Sequence, residues 1–180
     1  LRERGFTVFC PSRRAAQIEW DKYWSRGFML SYEIPAPRFT GFHSTREAEE
    51  FMRQVYSQNP GRVSYVKAAG PAAGKGSLKA SSYRELVARI RQMDTFGEAG
   101  KTFLVEQGLS GAEFSYTVIT DGTGEYRAFQ PAQDYKLSHT FDECEQTGGM
   151  GSVAPAHVID PLPRVRIEKE LVETALNGML

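Results

Sequence analysis

Hydrophobic side chains recur at helical spacing in several parts of the chain. Ala16, Trp20, Tyr23 and Trp24 share one face if residues from Arg13 to about Phe28 form a helix. The predicted starts of three later helices are the capping-box pairs Ser44–Glu47 and Ser82–Glu85 and the N-cap–proline pair Asp160–Pro161.

Short apolar runs predict strands between these helices. They are FTVF (6–9), SYVK (64–67), TFLVE (102–106), FSYTVIT (114–120) and EYRAF (125–129), with a hairpin turn at DGTG (121–124). Residues 130–160 are rich in Gly, Pro, Gln and Thr and are predicted to be a long irregular loop, a type that is often functional. The order predicts a mixed α and β protein, with helices and strands alternating first and an antiparallel section after them.

Composition narrows the class of protein. The 180 residues are 41% hydrophobic and 24% charged, with 22 Lys+Arg against 22 Asp+Glu, as in an ordinary soluble globular protein. This charge balance argues against a dedicated nucleic-acid or membrane-surface binder, and no apolar run approaches the roughly 20 residues of a membrane span. Two cysteines, Cys10 and Cys144, suit a reducing compartment, so we expect the cytoplasm. Because the sequence lacks an initiator methionine, we expect an excerpt of a longer protein.

The stretch KAAGPAAGKGSL (67–78) is the first candidate for chemistry. It fails as a P-loop, because three residues instead of four separate Gly70 from Gly74 and Gly76 stands where a hydroxyl is needed. A strand ending at Lys67 would still present an ammonium at a fixed point, followed by glycines that let the backbone approach an anion and by the charge of Lys75. The alternative is a flexible, solvated connection, and this stretch alone leaves both open.

Two later stretches carry polar groups at glycine-rich turns. VEQGLSGAEFS (105–115) could present its backbone to an adenine edge, although by itself an ordinary hairpin is the better interpretation. In PAQDYK (131–136), Asp134 and Lys136 point the same way on an extended segment. TGGMG (147–151) exposes several amides that suit a phosphate or carboxylate. For 131–136 and 147–151 the alternative is a glycine-rich surface loop, but the clustering of polar side chains favours a functional site.

Taken together, these stretches resemble the phosphoribosylamine–glycine ligase family in order and spacing. CPSRRAAQIEWDK (10–22) is similar to a segment of the same family, so the resemblance runs from residue 10 to the C-terminus. It covers less than half of a complete member, namely most of the ATP-grasp domain. The pair formed by 133–136 and 147–151 disfavours a different ATP-grasp ligase.

The resemblance implies an α+β ATP-grasp fold, in which two lobes hold ATP between them, incomplete here at its C-terminus. It implies a ligase that phosphorylates glycine with ATP and then joins it to 5-phosphoribosylamine in purine synthesis. The implied divisions are 1–12 as the end of a preceding domain, 13–37 as helix and linker, 38–108 as the small lobe with its lid, and 109–180 as part of the large lobe. The implied partners are these small molecules and the remaining domains of the longer protein, with no nucleic acid and no membrane.

The site residues also follow from the resemblance. Lys22 and Lys67 would contact ATP phosphates, Lys67 and Lys75 would be catalytic, and Gly74, Lys75 and Gly76 would close as a lid. Glu106, Gln107 and Leu109 would meet adenine, and Glu113 would meet ribose. The phosphoribosylamine side would be formed by Asp134, Lys136, Thr147, Gly148, Gly149, Met150 and Gly151.

Several positions depart from the family pattern. They are Cys10, Asp21, Ala69, Pro71, Gln107, Gly108, Tyr135, Glu145 and Gln146. The family's magnesium ligands are expected beyond residue 180, and His43, His139 and His157 lack metal-ligand spacing, so no metal site is predicted within the chain. The departures at Ala69, Pro71 and Tyr135 motivate an alternative function, that of a diverged ATP-grasp homologue that binds nucleotide or a phosphorylated metabolite without catalysis.

Overall fold

The structure, a computed structural model, describes residues 1–137, 146–157 and 161–179. Its helices are α1 (Arg13–Trp20), α2 (Lys22–Ser31), α3 (Thr45–Gln58), α4 (Tyr83–Gln92), α5 (Pro161–Ile167) and α6 (Thr174–Met179). Short 3-10 segments cover Arg2–Arg4 and Met93–Gly100, and a π-helical segment, Glu168–Glu173, joins α5 to α6. The strands are β1 (Phe39–Phe42), β2 (Ser64–Ala68), β3 (Ser77–Ala80), β4 (Phe103–Gln107), β5 (Phe114–Ser115), β6 (Val118–Thr120), β7 (Tyr126–Ala128), β8 (Ala132–Leu137) and β9 (Gln146–Val153).

A four-stranded antiparallel sheet of order β1-β4-β2-β3 forms the centre of the chain's first part. Side chains alternate across a strand, so β2 and β4 each direct one set toward α3 and α4. The buried cluster on that face contains Phe42, Ala48, Met52, Tyr56, Val66, Ala68, Ala80, Leu86, Ile90, Met93, Phe103 and Val105. The alternate side chains of β2 and β4 therefore lie on the opposite face of the sheet, away from α3 and α4.

Both capping predictions within this region are confirmed. The side chain of Ser44 accepts from the amide of Glu47, and that of Ser82 accepts from the amide of Glu85. Each serine satisfies an amide that the first turn of its helix would leave unpaired.

The single helix predicted from Arg13 to Phe28 is wrong in one respect, because it is broken at Asp21. Asp21 has an extended backbone (φ −125°, ψ 95°), and its carboxylate accepts from the amide of Trp24. An N-cap residue has non-helical dihedrals, so Asp21 ends α1 and begins α2. Lys22 thereby becomes the first residue of a new helix.

The predicted irregular loop at 130–160 is also wrong, because much of it is paired. β8 lies between β5 and β9 in a three-stranded antiparallel sheet. The predicted strand 114–120 divides into β5 and β6, which belong to different sheets, and β6 pairs with β7 across the predicted hairpin turn. The strand predicted at residues 6–9 is wrong, since the structure assigns these residues to no helix or strand.

The last helical stretch packs on the middle of the chain through polar contacts. Tyr116 donates a hydrogen bond to Glu168, and Arg164 lies 3.2 Å from the Tyr116 hydroxyl. The predicted N-cap Asp160 and Cys144 lie outside the described residues. In the part of the chain that the structure describes, no helix is both long and apolar enough to cross a bilayer.

Candidate nucleotide site

The face of the sheet that does not contact α3 and α4 carries polar side chains of β2 and β4. Tyr65 and Lys67 alternate with the core residues of β2, and Tyr65 lies directly opposite Glu106 in the register of the two strands. Lys67 lies opposite Leu104, so it is the diagonal neighbour of Glu106 on that face. The sequence-predicted residues Lys67 and Glu106 are therefore brought together.

Glu106 is the centre of an ion-pair network on this face. Its carboxylate, 2% exposed, lies 2.6 Å from the Nζ of Lys67 and 2.6 Å from the Nε of Arg26 on α2. Burial acts to raise the pKa of Glu106, but the hydrogen bonds and charges of Arg26 and Lys67 outweigh burial and hold that pKa below its ordinary value. Glu106 is therefore a buried anion that depends on two cations.

Lys22 reaches the same region from the start of α2. Its amide donates to the carbonyl of Ala69 (2.9 Å), and its Nζ donates to the carbonyl of Gly70 (3.4 Å). Burial lowers the pKa of the Lys22 ammonium, and the positive charge of Lys67 lowers it further. The carboxylates of Glu19, Glu106 and Asp21 act in the opposite direction but do not outweigh these two effects. The two lysines therefore lie close enough for their charges to interact in one partly buried region.

The glycine-rich stretch is the loop of the β2–β3 hairpin. The amide of Lys75 donates to the carbonyl of Ala72 (2.9 Å), and the two residues between them, Ala73 (φ 48°) and Gly74 (φ 77°), both have positive φ. This is the backbone of a type I′ turn. Lys75 lies exposed at the loop's tip.

The base of this loop is fixed on both sides. The amide of Gly70 donates to Ala99 of the 3-10 segment, and the amide of Ala68 donates to the carbonyl of Gly76. A Cβ added at Gly76 would lie 2.6 Å from the Cβ of Ala72, so this position has no room for a larger residue. The loop therefore rises directly from Lys67, with a fixed base and an exposed tip.

The end of β4 forms the next part of the site. Gln107 is exposed, and its amide donates to the carbonyl of Arg38 (2.8 Å), while Leu109 is 66% exposed just beyond the strand. Glu113 lies close enough to Tyr65 that its carboxylate adds to the effect of burial in raising the pKa of the Tyr65 hydroxyl. The roles of these residues toward adenine and ribose stay predictions.

The residues predicted to face phosphoribosylamine lie in the second sheet. Asp134 accepts a hydrogen bond of 2.6 Å from the Ser115 hydroxyl, and β8 aligns it with Ser152 of β9. Gly149 (φ 132°), Met150 and Gly151 are exposed residues of β9. Lys136, Thr147 and Gly148 belong to these strands by their backbone, and the side chains of Lys136 and Thr147 lie outside what the structure describes. Their roles stay predictions.

Sequence reasoning missed Arg26 and Tyr65. A signal existed for each: Arg26 follows Lys22 by four residues and so shares its face of α2, and Tyr65 precedes Lys67 by two and so shares its face of β2. Within the described ranges, no three His, Cys, Asp or Glu side chains cluster so as to hold a metal ion. The expected magnesium ligands outside the chain stay a prediction.

The residues present fit an anionic nucleotide. Two lysines with interacting charges stand at the base of a glycine hairpin, and Tyr65 offers an aromatic surface beside them, with the Lys67 ammonium 5.8 Å from the ring centroid. Oriented ammonium groups and close backbone approach are what a triphosphate requires.

Comparison with known proteins supports this assignment. Residues 20–180 match the family described as phosphoribosylglycinamide synthetase, ATP-grasp (A) domain. The chain is 37% identical to the trifunctional purine biosynthetic protein adenosine-3 of Drosophila melanogaster, over all of this chain and 13% of that protein. It is 35% identical to the phosphoribosylamine–glycine ligase of Haemophilus influenzae, over 99% of this chain and 41% of that enzyme. The chain thus spans less than half the length of these relatives.

Solved structures agree with the fold. The phosphoribosylamine–glycine ligase of Thermotoga maritima superposes with a TM-score of 0.79 at 28% identity, covering 95% of this chain and 42% of that one. The biotin carboxylase of Campylobacter jejuni superposes with a TM-score of 0.77 at 16% identity, covering 99% of this chain and 38% of that one, which supports the fold alone. The predicted α+β ATP-grasp fold is confirmed. The chain belongs to the phosphoribosylglycinamide synthetase ATP-grasp (A) domain family.

Proposed function

We propose that this chain is the nucleotide-binding part of an ATP-dependent ligase that joins glycine to 5-phosphoribosylamine through a glycyl phosphate, releasing ADP and phosphate. The observation that carries the proposal is the convergence of Lys22 and Lys67 at the base of the glycine hairpin, in a chain of this family. Two partly buried ammonium groups whose charges interact are suited to neutralise a polyphosphate.

Lys67 is the proposed catalytic cation. It stands on a central strand between β3 and β4, so its backbone is held on both sides, and its side chain is 23% exposed. Charge stabilisation by a preorganised donor is strongest where water is largely excluded. Lys67 would stabilise the charge that develops as the phosphoryl group moves to the glycine carboxylate, and Lys22 would hold the same phosphates from the start of α2.

The hairpin loop is the proposed lid. Its base is tied to β2, α2 and the 3-10 segment, whereas Lys75 is exposed at its tip with Gly74 beside it. An acyl phosphate must be protected from water. Gly74, Lys75 and Gly76 would close over the phosphates and add the charge of Lys75.

We also propose which residues contact adenine, ribose and 5-phosphoribosylamine. Gln107, Leu109 and the backbone at Glu106 would meet adenine, and Glu113, which lies near Tyr65, would meet ribose. The 5-phosphoribosylamine side would use the second sheet, through Asp134, Lys136, Thr147, Gly148, Gly149, Met150 and Gly151.

Partners, location and domains belong to this proposal as well. ATP-grasp ligases use ATP with magnesium, and we place the magnesium ligands in a segment outside this chain. The other domains of a longer cytoplasmic protein would complete the enzyme. Within the chain, 38–108 would be the small lobe and 109–180 part of the large lobe, following a preceding domain to residue 12 and a linker at 13–37.

The second candidate is a homologue that binds nucleotide without catalysis. It is motivated by Ala69 and Pro71 in the loop and by Tyr135 in β8, where the chain departs from the family pattern. Identity of 35% with a phosphoribosylamine–glycine ligase over 99% of the chain favours the enzyme.

The test is ADP release by the full-length protein, measured with and without glycine and 5-phosphoribosylamine. We expect release that requires both substrates. Lys67→Ala should lower turnover on the order of 100-fold, because it removes a cation from the transferring phosphoryl group. Lys169→Ala, which removes an exposed lysine of the π-helical segment, is the matched control and should leave turnover unchanged.

Two outcomes would contradict the proposal in different ways. Turnover that is unchanged in Lys67→Ala would remove that lysine from the reaction. ATP binding without substrate-dependent ADP release would favour the non-catalytic homologue.

A further inference from the structure

Arg26 holds both oxygens of the buried carboxylate at the centre of the site. Its Nε donates to Oε1 of Glu106 at 2.6 Å, and a second guanidinium nitrogen donates to Oε2 at 3.3 Å. Lys67 reaches the same Oε2 at 2.6 Å. One anion is therefore shared by two cations, one on α2 and one on β2.

This sharing creates a conflict when a nucleotide binds. The proposed function requires the Lys67 ammonium to turn toward phosphate, and the ammonium would then leave Glu106. Glu106 is 2% exposed, so little water could replace the lost cation. An uncompensated buried carboxylate is strongly unfavourable, and without a second cation it would hold Lys67 back from the nucleotide.

We propose that Arg26 is a positioning residue that stays on Glu106 as its counter-ion while Lys67 exchanges Glu106 for the nucleotide phosphates. The inference rests on the proposed function and adds a residue to it. An arginine suits the role because its guanidinium stays ionised and matches a carboxylate in a two-point contact. Another nitrogen of Arg26 lies 3.1 Å from the Sδ of Met29, which helps to fix the plane of the guanidinium.

A purely structural role for Arg26 is the competing explanation. The Arg26–Glu106 contact also fastens α2 to β4, and α2 carries Lys22 one turn earlier. If fastening were the whole role, loss of Arg26 would lower stability without depending on the charge at position 106. The two explanations therefore differ in how Arg26 and Glu106 are coupled in ATP binding.

The first experiment measures the dissociation constant of ATP with magnesium by calorimetry in the full-length protein. Arg26→Gln should weaken binding about tenfold, because among the described residues Lys67 is then the one cation that still forms an ion pair with the buried carboxylate. Arg26→Lys keeps the charge and should recover part of the affinity. In a Glu106→Gln background there is no anion to neutralise, so adding Arg26→Gln should change affinity less than about twofold.

Arg91→Gln is the matched control. Arg91 makes the same kind of two-point contact to Glu49, at 2.8 and 3.0 Å, but on the exposed surface, so its loss should leave ATP affinity unchanged. Unchanged affinity in Arg26→Gln, or an equal loss in both backgrounds, would overturn the inference. Wild-type protein that binds no ATP would instead overturn the proposed function.

The second experiment needs no nucleotide and no Glu106 variant. The pKa of Glu106 is followed by carbon NMR titration in Lys67→Met, which imitates a Lys67 that has turned away. We expect a pKa still below the ordinary value, because Arg26 remains, and a pKa above it in Arg26→Gln/Lys67→Met, because burial then dominates. A pKa already raised in Lys67→Met would show that Arg26 alone cannot serve as the counter-ion.

Discussion

The amide of Lys22 donates a hydrogen bond of 2.9 Å to the carbonyl of Ala69, so helix α2 begins where the glycine hairpin leaves the sheet. One contact thus joins the two segments that carry the proposed phosphate ligands. The break at Asp21 makes this contact possible. In a continuous helix the amide of Lys22 would bond within the helix, whereas at the start of α2 it is free to bond to the loop.

Replacing Lys22 should separate stability from binding. Burial and the charge of Lys67 hold the pKa of Lys22 below its ordinary value of 10.5, so its charged form opposes folding at neutral pH. Lys22→Met should therefore raise the midpoint of thermal unfolding and weaken ATP binding. The stability advantage of the variant should shrink as pH rises through the folded pKa toward 10.5, and an advantage that is constant with pH would contradict this explanation.

Glu106 should make the chain sensitive to acid. Its folded pKa lies below its ordinary value of 4.5, so its contribution to stability is present above that pH and is lost as pH falls through the folded value. Urea unfolding measured from pH 7 down to pH 3 should show a steeper loss in the wild type than in Glu106→Gln. Parallel curves for the two proteins would show that the network does not contribute in this way.

Gly76 should tolerate no side chain. A Cβ there would lie 2.6 Å from the Cβ of Ala72 and 3.1 Å from that of Ala68, inside the closed base of the hairpin. Gly76→Ala should lower the free energy of unfolding by about 1–3 kcal/mol, the usual cost of overpacking. Gly61→Ala is the control, since no atom lies within 4 Å of its added Cβ, and the prediction fails if the two variants are equally stable.

The turn at the tip of the hairpin should be improved by glycine. Ala73 has φ 48°, a left-handed conformation that disfavours residues with a Cβ. Ala73→Gly should raise the free energy of unfolding by about 0.5–1 kcal/mol, after allowance for the extra freedom of the unfolded chain. The same change at Ala88, exposed on α4, should lower it by about 1 kcal/mol. A loss at both positions would refute the assigned turn.

The helix starts and strand β2 could be predicted from sequence, because they depend on residues that are close together in the chain. Ser44 and Ser82 begin their helices because a serine side chain caps the amide three residues on, and this pattern is visible in sequence. β2 was predicted from its apolar run, and with it the position of Lys67 at the end of the strand. The glycines indicated the loop after β2, but β3, which closes that loop into a hairpin, was not predicted.

The features that the sequence did not predict depend on contacts between residues that are far apart in the chain. β9 contains three glycines, which weaken strand propensity, and it is a strand because it pairs with β8. Arg26 and Glu106 are 80 positions apart, so no local pattern could join them. Asp21 could be either a helix residue or a cap, and the break at this residue is accompanied by the contact of Lys22 with Ala69, which lies 47 positions away and is not visible in the local sequence.

The most direct test of the central claim is a crystal structure of the full-length protein with a non-hydrolysable ATP analogue. The measurement is the distance from the Nζ atoms of Lys22 and Lys67 to the phosphate oxygens. We predict distances of about 2.7–3.2 Å for both lysines, the range of a hydrogen bond. An analogue whose phosphates bind away from both lysines would contradict the assignment of this face of the sheet as the nucleotide site.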